Sequence, residues 1–175
     1  MTNLKKHINI PLSLILLTGL MWMFSGCGVY SFTGASIPPE AKTISVQYFP
    51  NKAQLVEPTL SAIFTDALRD QFTRQTNLEM VDRNGDLVFE GEIVDYKTTP
   101  VAIQGDQTSA LNRLTITVNV RFVNVYEPNK DFEKKFTQYL DYASDADYNA
   151  VKAELILGIT EMLTTDIFNK AVINW

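Results

Sequence analysis

The sequence has few of the side chains that most enzyme active sites use. Its 175 residues include a single histidine, His7, and a single cysteine, Cys27. His7 lies in an N-terminal segment that we expect to be removed, and we expect Cys27 to carry lipid. The remaining chain would have no histidine and no free cysteine. This excludes histidine-based triads, histidine general bases, disulfides and most transition-metal sites. The sequence also has no glycine-rich phosphate loop and no internal repeat, so it predicts no catalytic residue, no metal and no cofactor.

The N-terminus has the pattern of an export signal. Lys5 and Lys6 form a short positive region, and an apolar stretch covers residues 8–24. Ser25 and Gly26, directly before Cys27, fit a lipobox, in which small side chains precede the cysteine that receives lipid. Phe24 stands where such boxes usually carry leucine, a mild departure that keeps a bulky apolar side chain there. We therefore predict that residues 1–26 are cleaved and that Cys27 becomes the lipid-bearing N-terminus. The alternative is an uncleaved anchor, because about 17 apolar residues is the lower limit for crossing a bilayer. An anchor, however, does not require a lipobox.

The chain after the predicted signal is acidic and suits one domain. Removing 26 of 175 residues leaves 149, enough to bury a sizeable core. Residues 27–41 contain Gly34 and a Pro38-Pro39 pair and are assigned to a lipidated tether, and residues 42–175 to the domain. Two of the 15 basic residues lie in the signal, so 13 face 20 acidic ones and the net charge is −7. This balance argues against nucleic-acid binding.

The periodicity of apolar residues predicts both strands and helices. Alternating or short apolar stretches indicate five strands: 42–49, 78–82, 87–96, 114–122 and 132–142. Helical spacing indicates one helix from Pro58 to Phe72 and another from Val151 to Phe168, with capping candidates in 144–147. The Asn84-Gly85 pair favours a hairpin between the second and third strands, and the first helix should cross between two parallel neighbours. We predict an α+β two-layer sandwich, with one mostly antiparallel sheet of about four to five strands and two helices packed on one face.

Two features suggest local function. Glu90 and Glu92, and likewise Asp145 and Asp147, are acidic pairs of the kind that acid–base chemistry uses. On a strand, residues two apart share one face, so a solvated face is the simpler interpretation of the first pair. The aperiodic stretch 98–110 is 13 residues long and is predicted to be a functional loop, with a hairpin tip as the alternative. Its candidate partner contacts are Thr99, Pro100, Ile103, Gln104 and Gly105.

Four irregular segments resemble the LptE family of lipopolysaccharide-assembly lipoproteins. They are CGVYSFTGA at 27–35, TPVAIQG at 99–105, LNRLTI at 111–116 and DIFNKAVINW at 166–175. The resemblance implies a lipoprotein of the outer membrane, facing the periplasm, that plugs the LptD β-barrel and helps it to place lipopolysaccharide in the outer leaflet. It also implies a sheet packed by two helices and a role without catalysis.

This implied role makes two demands on the residues. A domain inside a polar barrel lumen needs a polar surface, and the row of Thr115, Thr117, Asn119 and Arg121 meets that demand, as any solvated strand face does. The phosphates and acidic sugars of lipopolysaccharide would bind exposed cations. The candidate lipopolysaccharide contacts are Lys97, Arg113, Lys134 and Lys135, although isolated surface cations are an equally good interpretation of each.

One alternative from another class fits the first half of the chain. An accessory lipoprotein that regulates a cell-envelope enzyme, with a TolB-like or synthase-activator-like domain, would have the same strand–helix–strand start over residues 44–82. Segments 99–105 and 111–116 favour the LptE family, because the alternative does not call for them.

Overall fold

The computed structural model describes residues 37–101 and 110–173, so Cys27, the lipobox and residues 102–109 lie outside the described part. Five strands form one sheet with the order β2-β1-β3-β4-β5. The strands are β1 (Thr43–Val46), β2 (Glu79–Met80), β3 (Leu87–Val101), β4 (Leu111–Asn124) and β5 (Phe132–Ala143). Two helices, α1 (Leu60–Gln75) and α2 (Tyr148–Phe168), pack on one face, and a π-helical turn, Asn169–Ile173, follows α2. The predicted α+β fold is confirmed, with a sheet that is mixed.

The parallel part of the sheet is built around β1. This strand pairs in parallel with β2 on one side and with the first residues of β3 on the other. Helix α1 makes the crossover from β1 to β2, as predicted. The predicted hairpin between the second and third strands is wrong, because β1 lies between them.

The segment after β2 explains why the hairpin does not form. Asn84 has a φ of 56°, the positive value that the Asn-Gly pair predicted. The turn passes directly against β1, where a Cβ on Gly85 would lie 2.6 Å from the backbone nitrogen of Ser45. The Asp86 carboxylate then accepts hydrogen bonds from the backbone nitrogens of Lys42 and Thr43, at 2.8 and 2.9 Å. These bonds lower the pKa of Asp86 and fix the start of β3 beside β1.

The core lies between the sheet and the helices. The β4 residues predicted to point inward are all buried: Leu114, Ile116, Val118, Val120 and Phe122. Phenylalanine rings connect the layers, since Phe89 of β3 lies 4.7 Å from both Phe72 of α1 and Phe122 of β4. Phe72 also lies 5.1 Å from Phe168 of α2. The two helices and the sheet therefore share one hydrophobic core.

Strand β3 is longer than its periodicity predicted. A register shift between Ile93 and Asp95 moves Tyr96 to the buried side, which ends the simple alternation. The strand continues to Val101, so the predicted loop starts too early, and Thr99 and Pro100 are strand residues. Proline has no backbone N–H to donate to a neighbouring strand. Pro100 is tolerated because β1 pairs with β3 only as far as Phe89, so the edge of β3 at Pro100 that faces away from β4 has no partner among the described strands.

The helix ends follow the expected local chemistry. The Asp147 side chain caps α2 by accepting a hydrogen bond of 3.0 Å from the backbone nitrogen of Asn149, as the capping pattern predicted. Pro58 lies just before α1, whose N-cap is Thr59. Neither helix in the described ranges has an apolar stretch long enough to cross a bilayer.

Candidate functional site: the open face of the sheet

The face of the sheet opposite the helices is a polar surface formed by the three long strands. We call it the open face, because no described helix packs on it. It consists of side chains from the three long strands: Glu90, Glu92, Asp95, Lys97, Thr99, Arg113, Thr115, Thr117, Asn119, Arg121, Glu133, Lys135, Thr137, Tyr139 and Asp141. Because side chains alternate along a strand, burial of the inward row places these residues on the opposite side.

Most of the open face is held together by pairs across strands. Arg121 donates to Glu90 at 2.7 Å, between residues that are directly opposite in the β3–β4 register. The hydroxyls of Thr117 and Thr137 share a hydrogen bond of 2.9 Å, and Asn119 donates to Glu133 at 3.0 Å. Cross-strand pairs of this kind stabilise a sheet and give its polar groups hydrogen-bond partners within the domain. The face is therefore ordered and polar before any partner is present.

Arg113 makes the most extensive of these contacts. Its guanidinium donates two hydrogen bonds to Asp141, at 2.7 and 2.9 Å, and lies 3.7 Å above the ring centre of Tyr139. The hydrogen bonds lower the pKa of the Asp141 carboxyl and raise the pKa of Arg113. A bidentate, stacked guanidinium has a fixed orientation, which a lysine would not have.

The four predicted lipopolysaccharide contacts do not form one cluster. Lys97 lies beside Asp95, with a nitrogen–oxygen distance of 2.5 Å, and Arg113 is paired with Asp141. Lys134 and Lys135 are neighbours on β5 whose side chains leave opposite faces of the sheet. The Lys134 ammonium lies 5.2 Å from the ring centre of Phe136, which shows how a cation is accommodated on the apolar side of β5.

One member of each acidic pair has a structural role. Glu90 accepts from Arg121, and Asp147 caps α2. No group of three metal-binding side chains forms within residues 37–101 and 110–173. Of the predicted loop contacts, Thr99 and Pro100 lie at the exposed end of β3 and pair with Arg113 and Asn112, while Ile103, Gln104 and Gly105 lie outside the described residues.

Sequence analysis missed a polar and aromatic cluster at the end of the sheet where β3 stops and β4 starts. The hydroxyls of Tyr96 and Tyr148 are hydrogen bonded, and the ring of Tyr142 lies 5.7 Å from that of Tyr148. Nearby, Lys152 donates to Glu57 at 2.9 Å, which lowers the pKa of Glu57, and burial raises the pKa of Tyr96. Glu57 and Lys152 are 95 positions apart, and no local pattern signals such a pair.

Comparison with known proteins gives a family and a related fold. The family model described as LptE, lipopolysaccharide-assembly, matches residues 41–171. A minor lipoprotein from Acinetobacter baumannii has 15% identity, covers 74% of this chain and 91% of its own, and has a TM-score of 0.50. Rare lipoprotein B from Shewanella oneidensis has 17% identity over 71% of this chain and 89% of its own, with a TM-score of 0.40.

The first of these structures supports the fold alone, and the second is too distant to support an argument. The chain has no match among curated proteins. The family model nevertheless covers well over half of the sequence, including both helices through Phe168 and all five strands. This chain belongs to the LptE family of lipopolysaccharide-assembly proteins.

Proposed function

We propose that this protein is a non-enzymatic part of the outer-membrane lipopolysaccharide translocon, where it occupies the lumen of an LptD-type β-barrel and helps to insert lipopolysaccharide. The observation that carries the proposal is the open face, on which several polar side chains are hydrogen bonded to one another across the strands. The lumen of a large barrel is polar. A surface on which many polar groups are already paired can face such a wall with few unpaired charges.

The proposal includes the location of the protein. We infer that residues 1–26 direct export, that Cys27 carries the lipid, and that the domain faces the periplasm and the barrel lumen from the outer membrane. Lipid on Cys27 keeps the domain at the membrane surface where a barrel partner is found.

Affinity purification of the tagged, full-length lipoprotein from mild-detergent extracts of outer membranes tests the partner. We expect a large β-barrel protein in near-equal amount, identified by mass spectrometry. Recovery of a periplasmic enzyme as the main partner would favour a regulator of cell-envelope synthesis, and recovery of lipid alone would also contradict the proposal.

A matched pair of variants tests the role of the open face in that purification. Thr137 lies on the open face and Thr73 on the solvent side of α1, and both are exposed threonines whose hydroxyls make one hydrogen bond of 2.9 Å. Thr137→Trp should lower barrel recovery several-fold because it adds bulk at the proposed contact, whereas Thr73→Trp should not. Equal recovery from both variants would contradict the assignment of the open face.

Lipopolysaccharide contact is the second part of the proposal. Lys97 and Arg113 each have a carboxylate partner, whereas Lys134 and Lys135 have none among the described residues. The unpaired cations need not give up an existing ion pair to bind phosphate.

We therefore expect Lys134→Ala/Lys135→Ala to weaken lipopolysaccharide binding about three- to tenfold, in line with two exposed ionic contacts. Lys97→Ala/Arg113→Ala should have a smaller effect, and Lys52→Ala/Arg83→Ala, which removes two other exposed cations, should have none. Titration of purified protein with fluorescent lipopolysaccharide measures these differences. Unchanged binding after alanine substitution at all four candidate positions would show that none of these cations contributes to lipopolysaccharide binding.

A further inference from the structure

The outer edge of β5 is the longest strand edge that has no partner among the described residues. Strand β5 is last in the sheet order, and all 12 of its residues pair with β4 on the inner side. No other described strand lies on the outer side. An open strand edge of this length can pair with a strand of another chain, because its free N–H and C=O groups form a ready-made ladder.

One hydrogen bond fixes which backbone groups of β5 point outward. The backbone nitrogen of Ser144, just after β5, donates to the carbonyl oxygen of Ala110, just before β4, at 3.0 Å. The register between the two strands continues this pair without a shift. Because hydrogen-bonded pairs alternate along an antiparallel ladder, the even-numbered residues of β5 bond to β4. The N–H and C=O groups of the odd-numbered residues point to the outer edge: Glu133, Lys135, Thr137, Tyr139, Asp141 and Ala143.

The side chains of β5 also leave contacts unused. The odd-numbered residues lie on the open face, and all of them are exposed. On the helix side, Phe132, Leu140 and Tyr142 are only partly buried, although they pack against the core. Lys134 and Lys135 make no ion pair within residues 37–101 and 110–173. The edge therefore combines free backbone groups with cations and apolar side chains that a neighbouring strand can contact.

We propose that β5 pairs antiparallel with β5 of a second copy of this chain, about a two-fold axis at Gln138. The pairing joins the two five-stranded sheets into one and keeps all helices on the same side. On the open face, Lys135 of each copy then lies directly opposite Asp141 of the other copy. Opposite charges that face each other across two strands stabilise the pairing.

The charges of β5 select this register. Charged side chains on an edge strand normally prevent pairing with other chains, and here they exclude the neighbouring alignments. An axis one residue earlier would place Glu133 opposite the partner's Asp141, and by symmetry it would do so twice. An axis one residue later would move Lys135 to a position opposite Ala143. Of these three alignments, only the axis at Gln138 gives two attractive ion pairs.

The same register gives the helix side complementary neighbours. Lys134 lies opposite the partner's Tyr142, where a cation and an aromatic ring attract each other. Phe136 lies opposite the partner's Leu140, which is only partly buried within one copy. An unrelated strand would have to supply both patterns, whereas a second copy has them by symmetry. The proposal is independent of the barrel assignment, because it concerns only the edge of β5.

A single cysteine at the axis tests the pairing. In the full-length chain, Gln138→Cys places two sulfurs on facing residues. The Cα atoms of such a non-hydrogen-bonded antiparallel pair lie about 4.5 Å apart, a distance that allows a disulfide. Leu140→Cys is the matched control, because it is also partly exposed on β5 but would lie about 14 Å from its counterpart.

The crosslink is measured in mild-detergent membrane extracts after gentle oxidation. We expect a disulfide between two copies of position 138, identified by mass spectrometry of the linked peptides, and none at position 140. The wild-type chain gives the background from Cys27, the only natural cysteine.

A mixed pair of variants reads the register and leaves in place the hydrogen bond of 2.6 Å that Gln138 donates to Asp166. Copies with Lys134→Cys and copies with Tyr142→Cys are produced together, each with its own tag. We expect a disulfide between the two kinds of copy, because these positions face each other. Neither variant alone should crosslink, since each position would lie about 27 Å from its counterpart.

Charge reversal tests the ion pairs. Lys135→Glu places like charges opposite each other at both ends of the pairing, so we expect the dimer to dissociate at an about tenfold higher concentration. Lys52→Glu makes the same charge change at an exposed position away from β5 and should leave the dimer unchanged. Mass photometry of the purified full-length protein in mild detergent measures the dimer fraction.

Four results would overturn the proposal. Two of them are a crosslink at position 138 no stronger than at position 140, and a mixed pair that does not crosslink. A disulfide from position 138 to a different protein would show that the edge binds a foreign strand and not a second copy. Equal dimer fractions for Lys135→Glu and Lys52→Glu would contradict the register, because the ion pairs that select it would then contribute nothing.

Discussion

Gly91→Ala should lower the free energy of unfolding by about 3 kcal/mol or more, a large part of the roughly 5–15 kcal/mol that stabilises a typical domain. Gly91 lies in β3, directly opposite Val120 of β4. A Cβ at this position would lie 2.0 Å from the carbonyl oxygen of Asn119 and 2.8 Å from the Phe49 ring. Both neighbours are held in place, one by the sheet and the other by burial in the core, so the strands must separate locally. Urea denaturation followed by circular dichroism measures the loss.

Gly158→Ala provides the control for this prediction. A Cβ on Gly158 would meet only the Cδ1 atom at the end of the Leu140 side chain, at 2.8 Å. That side chain is partly exposed and can change its rotamer. Alanine also favours a helix over glycine by about 1 kcal/mol, so the two effects should nearly cancel. If both variants lost similar stability, close packing around Gly91 would not be the cause.

The parts of the fold that were predicted correctly are those with a regular period or a local hydrogen bond. The inward row of β4 is buried as its alternation required, from Leu114 to Phe122. Asp147 caps α2 because its side chain reaches a backbone nitrogen only two residues away. Such signals depend on neighbours in the sequence, so they can be recognised without knowledge of the tertiary structure.

The errors occur where tertiary contacts decide the outcome. Asn84 and Gly85 take up a turn, but the Asp86 hydrogen bonds to Lys42 and Thr43 bring β1, which is 40 residues earlier, to the side of β3. A local turn pattern specifies backbone angles and does not specify which strand lies next. The register shift after Ile93 likewise hid the last part of β3, because a single added residue reverses the alternation.

The candidate sites were less predictable than the fold. The polar row of β4 was recognisable, but its pairing with β5, such as Thr117 with Thr137, depends on the register of two strands. Likewise, only the packing of the helices shows that the Thr160 hydroxyl is buried without a hydrogen bond among the described residues.

The length of the predicted tether limits how far the domain can lie from the membrane. Because β1 pairs in parallel with the first residues of β3, the chain enters the domain at the end of the sheet opposite to Val101 and Leu111. Ten peptide units separate Cys27 from Ile37, and a chain of that length can span at most about 35 Å. A lipid on Cys27 would therefore keep the entry end of the domain within that distance of the membrane.

Cys27→Ala should abolish lipid attachment and, with it, stable association of the exported domain with the membrane. A single acyl chain binds a membrane only weakly, but a fully modified cysteine carries several chains, which together anchor a protein stably. Neither described helix is long and apolar enough to cross the membrane in their place. Labelled palmitate should enter the wild-type protein and not the variant, and Ser31→Ala should take up label like the wild type. When exported through an ordinary cleavable signal, the Cys27→Ala domain should move to the soluble fraction. A wild-type protein without label, together with a variant that stays uncleaved in the membrane, would identify residues 8–24 as an anchor, because only an apolar span would then hold the domain there.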